Sequence, residues 1–202
     1  MLVSCSVTPS EPGNLSSAKQ EVAAYADSGD YQADLAGVAR RASRWIESRS
    51  ARGGKLAVVF DIDETVLSNL PHMKESDWGY REKEWDKWMA RSAAPAISPL
   101  REVYRVARDR GVAVFFITGR TAKDRRDTAR NLALQGMGKY EELITRPDGP
   151  KEPAADFKSA RRREITARGF TIIANIGDQA TDLEGGFAER TFKLPNPFYL
   201  IP

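Results

Sequence analysis

The clearest hydrophobic pattern in the chain is a run of five apolar residues, Leu56–Phe60, that leads directly into two aspartates, Asp61 and Asp63. The run is short, rich in β-branched residues and preceded by two glycines, which is typical of a strand buried on both faces of a parallel sheet. Unpaired carboxylates are costly inside a sheet, so both aspartates are expected where the strand ends. Because residues i and i+2 of an extended chain point the same way, the two carboxylates should converge on one spot.

The rest of the chain alternates between helical and extended patterns. Asn14 and Asp30 are the predicted N-caps of the first two helices. The predicted helices are 16–28, 31–50, 100–110, 122–135 and 155–168, and the predicted strands are 56–60, 112–118, 143–145, 170–177 and 190–194. Such alternation predicts an α/β fold with a doubly wound parallel sheet.

Composition limits the class of protein only modestly. A chain of 202 residues that is 41% hydrophobic and 29% charged has the size and composition of one globular domain. The 31 basic and 28 acidic residues are interleaved and leave a net charge of +3, which argues against a nucleic-acid polymer as partner. No stretch approaches the 18 or so consecutive apolar residues of a membrane-spanning helix.

Three predicted strands end in polar residues that parallel pairing would bring to one edge of the sheet. Asp61 and Asp63 end the first strand, Thr118 ends the second on a Thr-Gly-Arg turn, and Asp178 and Asp182 follow the strand 170–177. The crevice beyond the carboxyl ends of the strands is where open α/β sheets bind ligands. Carboxylates without a nearby His or Cys suit Mg²⁺ rather than zinc. This set of aspartates with a threonine hydroxyl fits metal-assisted phosphoryl transfer.

Four motifs, in this order, resemble those of the haloacid dehalogenase (HAD) superfamily. They are Asp-Ile-Asp-Glu-Thr at 61–65, Ile-Thr-Gly-Arg at 117–120, Phe-Lys-Ser-Ala-Arg-Arg at 157–162 and Gly-Asp-Gln-Ala-Thr-Asp-Leu at 177–183. More narrowly the chain is similar to the acid phosphatase B branch, subfamily IIIB, which includes bacterial acid phosphatases and the plant acid phosphatases and vegetative storage proteins. The segment 190–199 is especially like the plant members, and the resemblance covers about residues 55–202.

The resemblance implies a catalytic role for each of four residues. Asp61 would be the nucleophile that forms an aspartyl-phosphate, and Asp63 would protonate the leaving oxygen and then activate water. Thr118 would hydrogen-bond the phosphoryl group. Lys158 would offset the charge of that group and hold Asp61 in place.

The resemblance also implies a Mg²⁺ site. Its ligands would be the carboxylates of Asp61 and Asp178 and the backbone carbonyl of Asp63. Asp182 would not bind the metal itself but would orient metal-bound water or Lys158. The implied activity is a Mg²⁺-dependent acid phosphatase acting on small phosphomonoesters, with nucleotides among the candidates. A phosphotransferase or phosphomutase, and a non-catalytic storage or binding protein on the same fold, remain as alternatives.

Each motif residue also has a plainer interpretation. Thr118 can be an ordinary helix N-cap, Lys158 can belong to a solvated basic helix face, and Asp182 can simply begin a helix. Arg120 can reach the substrate or belong to a helix start. His72 is the only histidine and lacks the context of a histidine phosphatase, so we interpret it as a loop residue.

The segment 71–94 follows the first motif, where this superfamily inserts caps, and it predicts a small helical lid. It contains four large aromatic residues, Trp78, Tyr80, Trp85 and Trp88. We expect at least two of the four to pack against the N-terminal helices. The others would line the substrate entrance and stack on a nucleobase or another flat leaving group.

Residues 1–14 predict a flexible tether ahead of a single HAD-like phosphatase domain, 15–202. Leu-Val-Ser-Cys at 2–5 resembles the cleavage box of bacterial lipoproteins, in which the cysteine is acylated. The basic and apolar regions of a signal peptide are missing before it, so this interpretation expects a reading frame that continues upstream of Met1. The protein would then be periplasmic or tethered to a membrane through Cys5; otherwise Cys5 is a free thiol in a loose tail.

Overall fold

The computed structural model describes residues 13–149 and 152–201, which form an α/β fold around a five-stranded parallel sheet. The described helices are α1 (Leu15–Asp27), α2 (Asp30–Ser50), α3 (Leu70–Glu75), α4 (Glu82–Arg91), α5 (Ser98–Asp109), α6 (Arg125–Leu134), α7 (Ala154–Ala167) and α8 (Ala180–Leu183). The strands are β1 (Leu56–Phe60), β2 (Ala113–Thr121), β3 (Glu142–Arg146), β4 (Thr171–Gly177) and β5 (Thr191–Lys193). The predicted elements are all present. Strand β1 has the predicted bounds, the others are shifted at one end or both, and the predicted helix 122–135 begins as a 3₁₀ turn over Ala122–Asp124.

The order of the strands, β3-β2-β1-β4-β5, confirms the doubly wound topology. Every pair of neighbouring strands is parallel, and the chain winds outwards from β1 in both directions. The winding reverses between β1 and β4, and a crevice opens at the carboxyl ends of strands at such a switch point. The switch point lies beside Asp61, which follows β1, and Asp178, which follows β4.

The two faces of the sheet are covered by different helices. Val58 and Phe60 of β1 belong to the larger apolar cluster, which includes the buried faces of α2 and α5. Ala57 and Val59 lie in a second cluster with Phe157 of α7. This alternation explains why β1 is apolar at every position, since both of its faces are buried.

The N-terminal helices are anchored to the sheet through α2. Its residues Tyr31, Leu35 and Ile46 are buried, whereas α1 buries none of its side chains. Asn14 caps α1 as predicted, because its Oδ1 accepts the N–H groups of the first turn. The prediction for Asp30 was wrong by one residue: it is the first residue of α2, and the N-cap is Gly29.

The predicted cap segment, 71–94, contains most of α3 and all of α4. His72 lies within α3 and is buried, so its assignment to a loop was wrong. Cys5 and most of the predicted tether lie outside the described residues, and the predicted division into tether and domain stays a prediction. Within residues 13–149 and 152–201 no helix has the length and apolar character needed to cross a membrane.

Candidate active site

The turn after β1 places the two aspartates of the first motif. The carbonyl of Ile62 accepts the N–H groups of residues 65–67, which closes a tight turn directly after the strand. Glu64 lies in this turn with φ of 50°, a left-handed conformation that is uncommon outside glycine. The chain therefore leaves the sheet between Asp61, which is buried, and Asp63, which is partly exposed.

Lys158 of α7 links the tips of β1 and β4. Its Nζ donates to Asp61 Oδ1 at 2.5 Å and also to Asp182 Oδ1. Burial lowers the pKa of Lys158, but the charges of Asp61 and Asp182 outweigh burial and raise the pKa above its ordinary value. The side chain is only 8% exposed, so it is a buried cation within the site, and its interpretation as part of a solvated helix face is wrong.

Asp182 caps the start of a helix and also holds Lys158. Its Oδ2 accepts the N–H of Gln179 at 2.8 Å at the start of α8, while its Oδ1 faces Lys158. The close approach needs glycine at the end of β4, since a Cβ on Gly177 would lie 2.4 Å from the Cβ of Asp182. Asp182 therefore caps the start of α8 with one carboxylate oxygen and contacts Lys158 with the other.

Asp178 is held by three side-chain donors. Thr65 Oγ1 donates to its Oδ1 at 3.0 Å, and Gln179 Nε2 and Asn196 Nδ2 donate to its Oδ2 at 2.7 Å each. An ionised carboxylate offers about four acceptor positions. The donors among the described residues occupy both positions on Oδ2 and one on Oδ1, so one position on Oδ1 is left to bind a cation.

The residues at these strand tips fit a hard divalent cation. Oxygens of Asp61, Asp178 and Asp182 all lie within 4.8 Å of one another. Three carboxylates and the single ammonium of Lys158 leave two uncompensated negative charges, which one divalent cation would balance. Burial, then the charge of Asp182, raise the pKa of Asp178. Burial raises the pKa of Asp61 well above its ordinary value despite Lys158. The all-oxygen donor set suits Mg²⁺.

The carboxylate of Asp63 lies outside this cluster and is paired with Arg120. The Arg120 Nη2 donates to Oδ1 at 2.6 Å and Nε donates to Oδ2 at 3.0 Å, while Asn69 Nδ2 donates to Oδ1 at 2.7 Å. Burial raises the pKa of Asp63, but the charge and hydrogen bonds of Arg120 outweigh burial and lower the pKa below its ordinary value. The predicted role of its backbone carbonyl as a metal ligand stays a prediction.

Two residues of this arrangement were not identified from the sequence. Arg120 was left between a substrate contact and a helix start, and Asn69 was not singled out. The Thr-Gly-Arg turn was a signal for Arg120, because β2 lies next to β1 in the sheet and its tip must face Asp63. Nothing in the local pattern around Asn69 marks it as a partner of the aspartate six residues before it.

Thr118 lies within β2 and is fully buried. The pairing of Phe60 with Phe116 puts Thr118 at the same edge of the sheet as Asp61. Its Oγ1 accepts the N–H of Arg120 at 3.2 Å, and its own hydroxyl proton can still donate. Its interpretation as a helix N-cap is wrong, because the following 3₁₀ turn is capped by Thr121.

The aromatic residues of the cap segment pack mainly on one another. Trp88 is 8% exposed and stacks on His72, with the ring centroids 5.6 Å apart. Its Nε1–H donates to Asn69 Oδ1 at 2.8 Å. A buried indole with its N–H occupied cannot stack on a substrate, so Trp88 is not one of the aromatic residues that would line the substrate entrance. Trp78 stacks on Phe198 at 5.5 Å and is partly exposed.

Comparison with known proteins identifies the family. The model of HAD superfamily subfamily IIIB (acid phosphatase) matches residues 7–202. The chain is 39% identical to acid phosphatase 1 of Solanum lycopersicum over 153 residues, which are 73% of this chain and 60% of that protein. It is 29% identical to vegetative storage protein 1 of Arabidopsis thaliana over 177 residues, which are 85% of this chain and 66% of that protein. The chain thus spans about three fifths of the length of its tomato relative.

The fold is also that of a solved acid phosphatase. The class C acid phosphatase from Bacillus anthracis aligns with a TM-score of 0.75 over 91% of this chain and 86% of that chain, at 23% identity. At this identity the likeness concerns the fold alone. The match over residues 7–202 and the 39% identity to the tomato protein lead to one conclusion: the chain belongs to HAD superfamily subfamily IIIB, the acid phosphatase family.

Proposed function

We propose that this protein is a Mg²⁺-dependent acid phosphatase that hydrolyses small phosphomonoesters through an aspartyl-phosphate on Asp61. One observation supports this above all: Lys158 joins Asp61 to Asp182 beside Asp178, at the carboxyl ends of adjacent strands. The tomato relative bears the name acid phosphatase 1, and a class C acid phosphatase of the same fold has been solved with tungstate bound. Tungstate is a tetrahedral oxyanion, as phosphate is.

In the first half of the reaction the Asp61 carboxylate attacks phosphorus and the bond from phosphorus to the leaving oxygen breaks. Asp63, in its protonated form, gives its proton to that oxygen, so that an alcohol leaves. The Lys158 ammonium offsets charge on the phosphoryl oxygens, and the Thr118 hydroxyl donates a hydrogen bond to one of them. The product on the protein is an acyl phosphate.

In the second half Asp63, now a carboxylate, takes a proton from water as the water oxygen attacks phosphorus. The acyl phosphate bond breaks, and inorganic phosphate and free Asp61 result. Asp61, Asp178 and the backbone carbonyl of Asp63 would hold Mg²⁺, which when bound supplies positive charge against the phosphoryl group. The Arg120 and Asn69 hydrogen bonds keep the Asp63 carboxylate aimed while its protonation changes.

The pairing with Arg120 gives a physical reason for activity at acid pH. Asp63 must be protonated at the start, and Arg120 lowers its pKa, so the reactive fraction falls as pH rises. Arg120→Gln keeps a hydrogen-bond donor and removes the charge, so the pKa of Asp63 should rise. We expect the descending limb of the kcat/KM profile to move to higher pH by about one unit.

The measurement is kcat/KM against pH for an ester with a poor leaving group, whose departure needs a proton. Arg105→Gln is the control, since Arg105 is 62% exposed and pairs with Glu102 on the surface. If the descending limb lies at the same pH in Arg120→Gln and in the wild type, Asp63 is not a general acid whose pKa is set by Arg120.

The proposed activity is tested with a panel of phosphomonoesters, with Mg²⁺ and with excess chelator. The panel should include nucleoside monophosphates and small aliphatic phosphates, because the cap leaves Trp78 partly exposed as a flat surface. Glycerol added as a competing acceptor separates hydrolysis from phosphoryl transfer, since a transferase yields glycerol phosphate in place of inorganic phosphate. A folded protein with no turnover of any ester would favour a storage role.

A further inference from the structure

The segment that follows β5, residues 194–201, runs along the carboxyl edge of the sheet beside the candidate site; we call it the Asn196 segment. It makes hydrogen bonds to two turns of the site. Asn196 Nδ2 donates to Asp178 Oδ2 at 2.7 Å, and the N–H of Ile201 donates to the Gln179 side chain at 3.1 Å. Its tyrosine hydroxyl, on Tyr199, donates to Glu64 Oε2 at 2.9 Å.

The orientation of the Asn196 amide is fixed by its own segment. Its Oδ1 accepts the N–H of Phe198 at 2.8 Å, so the Nδ2 group is the end that faces Asp178. Pro195 and Pro197 flank Asn196 and restrict the backbone on both sides. The donor is therefore held in place before any ligand binds.

An aromatic anchor keeps the segment against the body of the protein. The ring of Phe198 lies edge-on to Tyr31 of α2, with centroids 5.1 Å apart, and stacks on Trp78 with centroids 5.5 Å apart. Tyr31 is buried and Trp78 and Phe198 are partly buried, so the contact joins an N-terminal helix, the cap segment and the Asn196 segment. Such aromatic pairs contribute about 0.5–1.5 kcal/mol beyond their buried area.

We propose that Asn196 is a positioning residue of the metal centre, which directs Asp178 toward the cation. Together with Gln179, Asn196 fills the acceptor positions of Oδ2 and so leaves Oδ1 as the oxygen that binds the metal. Loss of the Asn196 donor frees one of the two acceptor positions on Oδ2 and holds the carboxylate less firmly, so ordering the carboxylate for the metal costs part of the binding free energy. This inference rests on the proposed Mg²⁺-dependent function, whose metal ligands include Asp178.

The test is the affinity for Mg²⁺ itself, measured by titration calorimetry on the full chain without substrate. Asn196→Ala should weaken Mg²⁺ binding about 10- to 100-fold, the usual effect of losing a residue that orients a metal ligand. Phe198→Ala keeps the amide and removes the anchor, so it should weaken binding by a smaller factor. Leu200→Ala is the matched control, because Leu200 is in the same segment, is 78% exposed and should leave the affinity unchanged.

A second measurement separates positioning from general loss of structure. The Mg²⁺ concentration for half-maximal phosphatase activity should rise in Asn196→Ala by the same factor as the dissociation constant. If Asn196→Ala fails to fold, Asn196→Leu keeps a side chain branched at Cγ and removes the donor, and the same weakening is expected of it.

The outcomes distinguish this inference from the function on which it rests. Mg²⁺ binding that is equal in wild type and in the folded Asn196 variants would overturn the inference and leave the proposed phosphatase intact. Wild-type protein that does not bind Mg²⁺ would overturn the proposed metal centre and the inference together. Equal weakening in Leu200→Ala would assign the effect to the segment as a whole and also overturn a specific role for Asn196.

Discussion

Asp61→Asn is expected to reduce kcat to less than about a hundredth of the wild-type value, because an amide cannot attack phosphorus to form an acyl phosphate. The replacement has nearly the same shape, and its amide oxygen can still accept the hydrogen bond from Lys158. The fold should therefore persist. The neighbouring carboxylate of Asp182 is already engaged, since it accepts from Lys158 and from the N–H of Gln179.

Two measurements check this result. Acid-quenched wild-type protein should retain radioactive phosphate from a labelled ester, and Asp61→Asn should retain none. Asp109→Asn is the control for the same chemical change at an exposed position in the last turn of α5. Circular dichroism of both variants should match the wild type. Substantial turnover or phosphate labelling in folded Asp61→Asn would rule out this aspartate as the nucleophile.

The parts of the site that follow from the sequence are those placed by regular elements. Apolar runs of strand length locate β1, β2 and β4, and parallel pairing then brings Asp61, Thr118 and Asp178 to one edge. The four motifs add Lys158, because the resemblance assigns it a place next to the nucleophile. In each case a periodic pattern fixes the backbone, and the backbone fixes where the side chain lies.

The parts that do not follow are contacts between irregular segments far apart in the chain. Tyr199 reaches Glu64 across 135 positions, and Asn196 reaches Asp178 from a stretch without secondary structure. Neither contact leaves a periodic signal, since loops obey no repeat that propensity or spacing could detect. Burial raises the pKa of Glu64 to about 8. The burial of this side chain cannot be inferred from the motif Asp-Ile-Asp-Glu-Thr alone.

The role of Trp88 could not be read from the sequence for a similar reason. The sequence shows a large aromatic side chain three positions after Trp85 on a predicted helix, and it cannot show which partner the indole N–H finds. The structure gives that N–H to Asn69, which in turn binds Asp63. Trp88 therefore supports the carboxylate that would act as the acid, and a flat substrate group would have to stack on another aromatic residue of the segment, such as the partly exposed Trp78.

Removal of the metal is expected to abolish activity, and added Mg²⁺ should restore it. Burial and the charge of Asp182 raise the pKa values of Asp61 and Asp178, and both effects disfavour the anionic forms. A divalent cation among these oxygens would reverse that preference, since the carboxylate that attacks must be ionised. Chelation should therefore remove both the charge that offsets the phosphoryl group and the ionised state of the nucleophile.

Asp178→Ala tests the same point within the chain. It should raise the Mg²⁺ concentration for half-maximal activity by at least about tenfold, because it deletes a ligand and leaves Thr65, Gln179 and Asn196 without their common acceptor. Asp109→Ala, an exposed position, is the control and should leave this concentration unchanged. Full activity after exhaustive chelation, or an unchanged Mg²⁺ requirement in Asp178→Ala, would show that the carboxylates at the tips of β1 and β4 act without a metal.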